Sequence, residues 1–332
     1  MEVQDISFET ESIKVPMQME YMDNFLYFAE YNADYLIDVF DCSTGKLYNS
    51  FIPRGMGPDE YLWISSMVII DNHLMLYDNS YKKITFLPKM GSETIEKPMD
   101  IIIKGDSIIQ SSLNAFPLSK ENYLISGIIK DAHWAIIDSV GSLISTFDTY
   151  PEDSYMEKKS TPADIAMAYQ GRFISNPQKT KGLYTYDTGI ILRFCDISED
   201  GYLTRTKEYS HAHIEYTPKS KKDFSSVSFS KNNINSFIDL KGTEKYCFLL
   251  YSGLKFSEAD EKAGEWYSGN RILIYDWDGN PIREILLPSR YNMFAVDTNH
   301  RLLYLLKTNT EESANDDYSI SMLDLSADFE AF

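Results

Sequence analysis

Residues 271–285 read RILIYDWDGNPIREI and contain the clearest structural signal of the chain. Apolar and polar residues alternate up to Asp276, Asp278-Gly279 then interrupts the alternation, and a second alternating run follows. Asp-Gly between two alternating runs is typical of a β-hairpin, because the tight turn needs positive φ at its centre. The stretch therefore predicts two antiparallel strands joined by a short turn.

The same hairpin pattern recurs along the chain as an apolar pair, an Asp, a short polar turn and usually a Gly. The copies read VFDCSTGKLYNSF from residue 39, IIDSVGSLISTF from 136, FCDISEDGYLTRT from 194 and, in degraded form, MLDLSAD from 322. Aspartates at this position are expected to accept hydrogen bonds from turn amides rather than to catalyse. They are Asp41, Asp138, Asp196, Asp276 and Asp324.

A second repeated element, a short run rich in aromatic and apolar residues, precedes each hairpin. Its six copies, spaced by about 50–60 residues, read FLYFAEY from residue 25, HLMLYDN from 73, NYLISGI from 122, GLYTYDT from 182, YCFLLYS from 246 and LLYLLKT from 302. Another β-like run comes before each copy, for example VPMQME from 15 and IAMAYQGRFI from 165. Repeats of roughly this length are typical of repeat architectures. Each unit thus predicts four strands, A to D in chain order.

Four antiparallel strands repeated six times predict an all-β, six-bladed β-propeller whose blades stack on their neighbours. The last unit lacks a clear strand D, while residues 5–9 form a spare strand, so we expect that strand to complete blade six beside residues 319–325 and to close the ring. Residues 1–332 are then one domain. A pair of β-sandwiches and a seven-bladed ring are the alternatives. Helix signals are scarce, and residues 257–266 are the one stretch expected to form a helical turn.

Composition limits the classes of partner. The 332 residues include 31 Lys and Arg against 50 Asp and Glu, a net charge of −19. Nucleic-acid surfaces need clustered Lys and Arg, so no nucleic-acid partner is predicted. No apolar run is long enough to span a membrane, and the N-terminus lacks the features of a signal peptide. Cys42, Cys195 and Cys247 are widely spaced and form no CxxC pair, which predicts free thiols.

Strand order assigns the long loops to one face of the propeller. In an antiparallel A-B-C-D blade, the D-to-A links and the B–C loops share a face, which we call the loop-rich face. Residues 150–162, 210–232, 255–269 and 307–318 fall there, and long loops often carry function. Aromatic and Arg side chains are typical anchors of binding surfaces, although each one can instead pack on its neighbours. The candidate ligand-binding residues are Arg54, Asp59, Glu60, Tyr155, Trp266, Tyr267, Arg290 and Tyr291.

Motifs for chemistry are few. His211 and His213 lie two residues apart, on one face of an extended strand that Glu215 continues, and are weak candidates for a metal pair. No GxSxG, HExxH or P-loop spacing occurs. The sequence therefore predicts no catalytic residues and no cofactor.

Residues 54–84, RGMGPDEYLWISSMVIIDNHLMLYDNSYKKI, resemble an NHL-type propeller repeat, with a G-x-G-P-x-E-aromatic opening followed by a strand and Leu-x-Leu-Tyr-Asp-Asn. With its six degenerate units, the chain is similar to the TolB-like six-bladed propeller family of bacterial proteins. The resemblance implies a location outside the cytoplasm, since members often carry lipoprotein signals. In the opening itself, Gly55 and Gly57 permit a sharp link that Pro58 stiffens. This segment is either a structural corner or a charged patch.

These observations favour a non-enzymatic binding or scaffold propeller that engages a protein, peptide or glycan on the loop-rich face. We expect it outside the cytoplasm, in the periplasm or at the cell surface, with membrane contact only through a lipid anchor on a leader absent from this sequence. The alternative is a metal-dependent hydrolase or lyase. Its site would lie in the central channel, where acidic, Asn or His side chains from several A strands converge.

Overall fold

A computed structural model describes residues 3–70, 73–88, 99–151, 160–219, 226–259, 266–309, 317–327 and 329. These residues form six four-stranded antiparallel sheets and one two-stranded sheet. The fold is therefore the all-β, six-bladed propeller that the repeats predict. We number the four-stranded sheets as blades one to six in chain order of their A strands.

The strands follow the predicted A-B-C-D order within each blade. Up to residue 102 they are β1 Val3–Ile6, β2 Pro16–Met22, β3 Phe25–Glu30, β4 Tyr35–Asp41, β5 Lys46–Pro53, β6 Ile64–Ile70, β7 His73–Asp78, β8 Lys83–Pro88 and β9 Met99–Ile102. Next come β10 Ile109–Pro117, β11 Asn122–Ile129, β12 Trp134–Asp138, β13 Leu143–Phe147, β14 Gly171–Ser175, β15 Lys181–Tyr186, β16 Ile190–Ile197 and β17 Leu203–Ala212. The remaining strands are β18 Tyr216–Pro218, β19 Val227–Phe229, β20 Phe237–Gly242, β21 Tyr246–Tyr251, β22 Gly269–Asp276, β23 Pro281–Tyr291, β24 Met293–Asp297, β25 Leu302–Thr308 and β26 Tyr318–Asp324.

The chain divides into two compact units, one of residues Met1–Ile103 with Pro288–Phe332 and one of residues Lys104–Leu287. The first unit holds blade one (β2–β5), blade two (β6–β9) and blade six (β24–β26 with β1). In blade six, β1 pairs antiparallel with β26, from Val3 opposite Leu323 to Ile6 opposite Ile320. The prediction that the N-terminal strand supplies the missing fourth strand is confirmed.

The second unit holds blade three (β10–β13), blade four (β14–β17) and blade five (β20–β23) apart from residues 288–291 at the end of β23. The small hairpin β18–β19 lies in the link between blades four and five. A helix, α1 Pro162–Ala168, lies in the link between blades three and four. The prediction of a continuous strand from residue 165 is wrong, because Thr161 and Asp164 form a capping box that starts a helix. A second helix, α2, spans Phe256–Ala259, near the predicted turn; residues 260–265 of that stretch lie outside the described part.

Alternate side chains of each strand pack into different cores, which is why a blade needs a neighbour on both sides. In the first unit, Tyr27 packs with Met67 and Leu76 of blade two, whereas the adjacent Phe28 packs with Ala295 and Leu306 of blade six. In the second unit, blades four and five share a core built from Leu183, Leu192, Phe194, Phe237, Leu249 and Trp277. Each such apolar side chain, when fully buried, contributes about 1.5–3 kcal/mol.

The hairpin turns follow the predicted chemistry. Gly279 has a φ of +77°, as the Asp-Gly signal requires. Four of the five repeated aspartates accept a backbone N–H within their own turn at 2.7 Å; the donors are Ser43, Ser142, Asn280 and Ser326. Asp196 differs, because its carboxylate lies 2.8 Å from Lys181 Nζ. The structural interpretation therefore holds at four of the five turns.

The three cysteines are free, as predicted, with Cys195 and Cys247 buried and Cys42 partly buried. Burial raises the pKa of the Cys42 thiol to about 12. A thiol in that state is almost entirely protonated at neutral pH and is a poor nucleophile.

Candidate functional site

The predicted residues of the 54–61 segment occupy a structural corner. The Glu60 carboxylate accepts a hydrogen bond from the Gly57 N–H at 2.7 Å. A Cβ on Gly55 would lie 1.9 Å from Glu60 Oε2, so a larger residue there would displace the end of the Glu60 side chain. Arg54 and Asp59 are exposed, and Arg54 donates to the side chain of Asn32. Glu60 is thus engaged within the corner, whereas Arg54 and Asp59 reach solvent.

Replacing Glu60 by alanine should lower the free energy of unfolding by about 1 kcal/mol, because the partly buried Gly57 N–H loses its acceptor. Replacing the exposed Asp59 by alanine removes the same charge from the same corner and should change stability by less than about 0.5 kcal/mol. Urea unfolding followed by far-UV circular dichroism compares the two variants. Equal effects would show that the corner does not depend on the Glu60 hydrogen bond.

The remaining predicted residues are not gathered at one place. Arg290 and Tyr291 lie at the end of β23 rather than in a loop. Tyr291 is buried, and burial raises the pKa of its hydroxyl. Tyr155 lies outside the described residues. Trp266 and Tyr267 do lie together, in the loop that follows strand B of blade five.

Trp266 belongs to a cluster of aromatic rings at the loop-rich end of the second unit. Its ring centroid lies 5.1 Å from that of Phe256 in an edge-to-face arrangement, and Phe256 lies 5.8 Å from Phe229. These three side chains are half-buried, while the neighbouring Tyr267 is 77% exposed. We call Phe229, Phe256, Trp266 and Tyr267 the aromatic platform. Offset and edge-to-face rings stabilise one another by about 0.5–1.5 kcal/mol per pair.

Backbone hydrogen bonds around residues 231–236 bring the three segments of the platform together. The Phe256 N–H donates to the Asn233 carbonyl at 2.8 Å, and the Asn235 N–H donates to the Leu254 carbonyl at 2.8 Å. The Asn235 side chain also donates to the Trp266 carbonyl. The Asn233 side chain in turn bonds both the N–H and the carbonyl of Glu215, each at 2.8 Å. Two asparagines thus fix loops that carry no strand pattern of their own.

A cluster of charged side chains lies on strand A of blades four and five, together with Asp187 just after β15. Arg172 Nη1 lies 3.6 Å from Asp239 Oδ1, and Arg172 Nε lies 3.7 Å from Asp187 Oδ1. Lys241 Nζ lies 3.4 Å from Asp239 Oδ1. Burial raises the pKa of Asp187, and the charge of Arg172 opposes that shift. The group has two cations and two carboxylates, so its formal charge is balanced.

A buried ionic network supports the start of the link between blades three and four. The Arg193 side chain is only 3% exposed; its Nε donates to Glu208 at 2.8 Å and its Nη1 to the Thr149 carbonyl at 2.7 Å. The same Nη1 lies 3.4 Å from Asp148 Oδ2, on a side chain that is 8% exposed. Arg193 Nη1 also donates a hydrogen bond to the Tyr186 hydroxyl oxygen at 3.3 Å. The arrangement fixes residues 148 and 149 against blade four.

His133 lies against the same network and is 4% exposed. Its ring stacks on Tyr186 with centroids 5.3 Å apart, and its Nδ1 lies 3.3 Å from the Tyr186 hydroxyl. Burial, with the nearby Arg193 charge adding to it, lowers the pKa of His133 well below its ordinary range. The imidazole is therefore neutral and packs as part of the core.

The two weak metal candidates lie at the surface. His211 and His213 are both exposed, and the His211 ring stacks on Tyr209 with centroids 6.2 Å apart. Across the described ranges, no three His, Cys, Asp or Glu side chains are grouped so as to hold a metal ion. Within those same ranges, no helix has the length and apolar character needed to cross a membrane.

Sequence comparison agrees with this architecture. The family model described as TolB-like 6-blade propeller-like matches residues 2–299. The chain belongs to the TolB-like six-blade propeller family. No curated protein matches this TolB-like chain.

Solved structures share the fold of this TolB-like propeller at low sequence identity. The "Putative exported protein" of Bacteroides fragilis NCTC 9343 has a TM-score of 0.57 and 14% identity, with 97% of this chain and 93% of that chain covered. A member of the duf4221 family from Bacteroides vulgatus has a TM-score of 0.60 and 11% identity, with 97% and 98% covered. At these identities the likeness concerns the fold alone.

Proposed function

We propose that this TolB-like chain is a non-enzymatic binding propeller that engages a protein, peptide or glycan through the aromatic platform. The observation that supports the proposal is the platform itself, in which three separate segments converge to present half-buried rings beside the 77% exposed Tyr267. Large aromatic side chains offer much contact area and lose little conformational freedom, which is why they anchor binding surfaces. A binding role of this kind does not require a catalytic side chain in the aromatic platform.

The chain's charge and fold relatives refine the proposal. A net charge of −19 disfavours anionic partners and favours neutral or basic ones. A structure with the same fold carries the name of an exported protein, which supports a location outside the cytoplasm, with membrane contact only through a lipid anchor. We propose that residues 1–332 act as a single propeller domain in this role.

A glycan array and a peptide array probed with the labelled chain test the proposal. The strongest ligand is then titrated against the Trp266→Ala and Tyr267→Ala variants. Tyr202→Ala serves as the matched control, since Tyr202 is an exposed tyrosine, 49% accessible, in the C–D turn at the opposite end of blade four. Loss of a central aromatic anchor typically weakens binding by about 2 kcal/mol or more, which is roughly 30-fold.

We expect Trp266→Ala to show that loss, Tyr267→Ala to show a smaller one, and Tyr202→Ala to bind like the wild type. If neither array yields a ligand, or if all three variants bind equally, the platform is not the binding surface.

A further inference from the structure

Five buried side-chain oxygens in the second unit have no hydrogen-bond partner among the described residues, and three of them belong to neighbouring segments of blades four and five: Thr185 Oγ1, Asp187 Oδ1 and Ser236 Oγ. Thr185 and Ser236 are both completely buried. Folded proteins pair the large majority of their buried polar atoms, and each exception needs a cause such as a missing water, ion or ligand.

The strand geometry places the residues that carry these three oxygens near one another. Thr188 and Asn235 form an antiparallel bridge, and the Ser236 N–H donates to the Asp187 carbonyl at 3.0 Å. Asp187 therefore lies directly opposite Ser236, and directly opposed residues project from the same side with Cβ atoms about 4.5–5.5 Å apart. Thr185 lies two residues before Asp187, near the end of β15.

Blade five covers the face of blade four that carries Thr185, because Leu183, next in the same alternation, packs in the core that the two blades share. The Asp187 side chain is nevertheless 46% exposed, so one side of its carboxylate opens to solvent while Oδ1 is buried. Arg172 Nε lies 3.7 Å from Oδ1, which is beyond hydrogen-bond distance. The site is thus reachable from outside, and Arg172 pairs with Asp187 by charge without placing a donor within hydrogen-bond distance of Oδ1.

The hydrogen-bonding chemistry of the three oxygens indicates which class of ligand the site can bind. A carboxylate oxygen only accepts hydrogen bonds, and hydroxyl oxygens accept them readily, so the site offers three acceptors. A primary ammonium group carries three N–H donors. A hard divalent cation such as Ca²⁺ needs about six to eight oxygen ligands, more than this cluster supplies. Arg172 lies next to Asp187 and Asp239, and Lys241 lies next to Asp239. These two cations repel a doubly charged metal ion more strongly than they repel a singly charged ammonium group.

We propose that Thr185, Asp187 and Ser236 form a binding site for a primary ammonium group. The group belongs either to a small free amine or to a peptide, as its N-terminus or a lysine side chain. The proposal does not depend on the aromatic platform, since Asp187 and Ser236 are not part of it, and the two can fail separately.

Isothermal titration of the full chain with four probes tests the site. Methylammonium represents a free amine, glycinamide a peptide N-terminus and Nα-acetyl-lysinamide a lysine side chain. Tetramethylammonium carries the same charge but no N–H donor. We expect at least one primary amine to bind and tetramethylammonium not to bind, and the strongest of the three primary amines identifies the source.

Asp187→Asn should weaken binding of that amine at least tenfold. Asp131→Asn is the control, since it removes the same charge from an exposed aspartate whose φ of +58° suits asparagine. Ser236→Ala, which removes one acceptor and little volume, should weaken binding at least threefold and serves as the second test if Asp187→Asn folds poorly.

The proposal is overturned if no primary amine binds better than tetramethylammonium. It is also overturned if Asp131→Asn weakens binding as much as Asp187→Asn does, or if Ser236→Ala binds as well as the wild type. In those cases the three oxygens are satisfied by ordered water.

Discussion

Replacing Arg193 by leucine is expected to lower the free energy of unfolding by about 3–5 kcal/mol, the usual cost of removing one partner from a buried ion pair. The guanidinium is 3% exposed, and the Asp148 carboxylate that it faces is 8% exposed. Leucine would leave that carboxylate with Arg205, a cation 3.4 Å away on a side chain 40% exposed to water. The Thr149 carbonyl would lose its donor as well.

Arg271 provides a matched control in the next blade. Like Arg193, it lies on strand C and pairs with a glutamate of strand D, with Arg271 Nη1 3.3 Å from Glu284 Oε1. Both side chains are about half exposed, at 49% and 53%. Exposed pairs of this kind contribute about 0–1 kcal/mol, so Arg271→Leu should be nearly neutral.

Urea unfolding of both variants, followed by far-UV circular dichroism, measures the difference. An Arg193→Lys variant should fall between wild type and Arg193→Leu, because lysine keeps the charge but not the several directed donors of the guanidinium. If Arg193→Leu is no less stable than Arg271→Leu, the buried ion pairs of Arg193 contribute no more to stability than the exposed pair of Arg271.

The repeated local signals were sufficient to predict the propeller. Each strand B carries a dense apolar and aromatic run, such as Phe25–Glu30, because its residues are buried on both faces. Each hairpin carries turn chemistry within a few residues of the chain. The N-terminal strand could be assigned to blade six because one unit lacked a strand and one strand lacked a unit.

The platform could be predicted only in part. Trp266 and Tyr267 stood out as loop aromatics, but Phe229 and Phe256 did not. Their approach depends on bonds between distant residues, such as those of Asn233 with Glu215, which no local pattern encodes.

The sequence at the end of β23 carries a local signal of its own structure. Ile285, Leu287 and Tyr291 keep the two-residue period of the buried face of β23, and all three are buried. That alternation indicates a core tyrosine rather than a loop residue. In the same way, Thr161 and Asp164 have the spacing of a capping box, which the apolar run that follows them obscured.

Glu30 is expected to make the first unit less stable as the pH rises. Its side chain is almost fully buried; Oε2 accepts the Val15 N–H at 2.8 Å, while Oε1 has no hydrogen-bond partner in the described ranges. Burial, opposed by backbone N–H groups and reinforced by Asp38, raises the pKa of Glu30 from 4.5 to about 7. Between these two values the folded protein binds more protons at this position than the unfolded chain does. Its contribution to stability is therefore complete below pH about 4.5 and is lost as the pH rises to about 7.

Glu30→Gln removes this dependence, because glutamine keeps an acceptor for the Val15 N–H without a charge. The variant should match the wild type near pH 4 and be more stable by about 2–3 kcal/mol at pH 8. Glu121→Gln, at an exposed glutamate, controls for the general benefit of removing one negative charge from a chain of net charge −19. Urea unfolding across this pH range should give a stability difference that grows with pH much more for Glu30→Gln than for Glu121→Gln. A Glu30→Gln protein that is less stable than the wild type at pH 8 would contradict this prediction. It would mean that donors stronger than the Val15 and Lys14 N–H groups stabilise the ionised carboxylate, because only such donors could outweigh the cost of its burial.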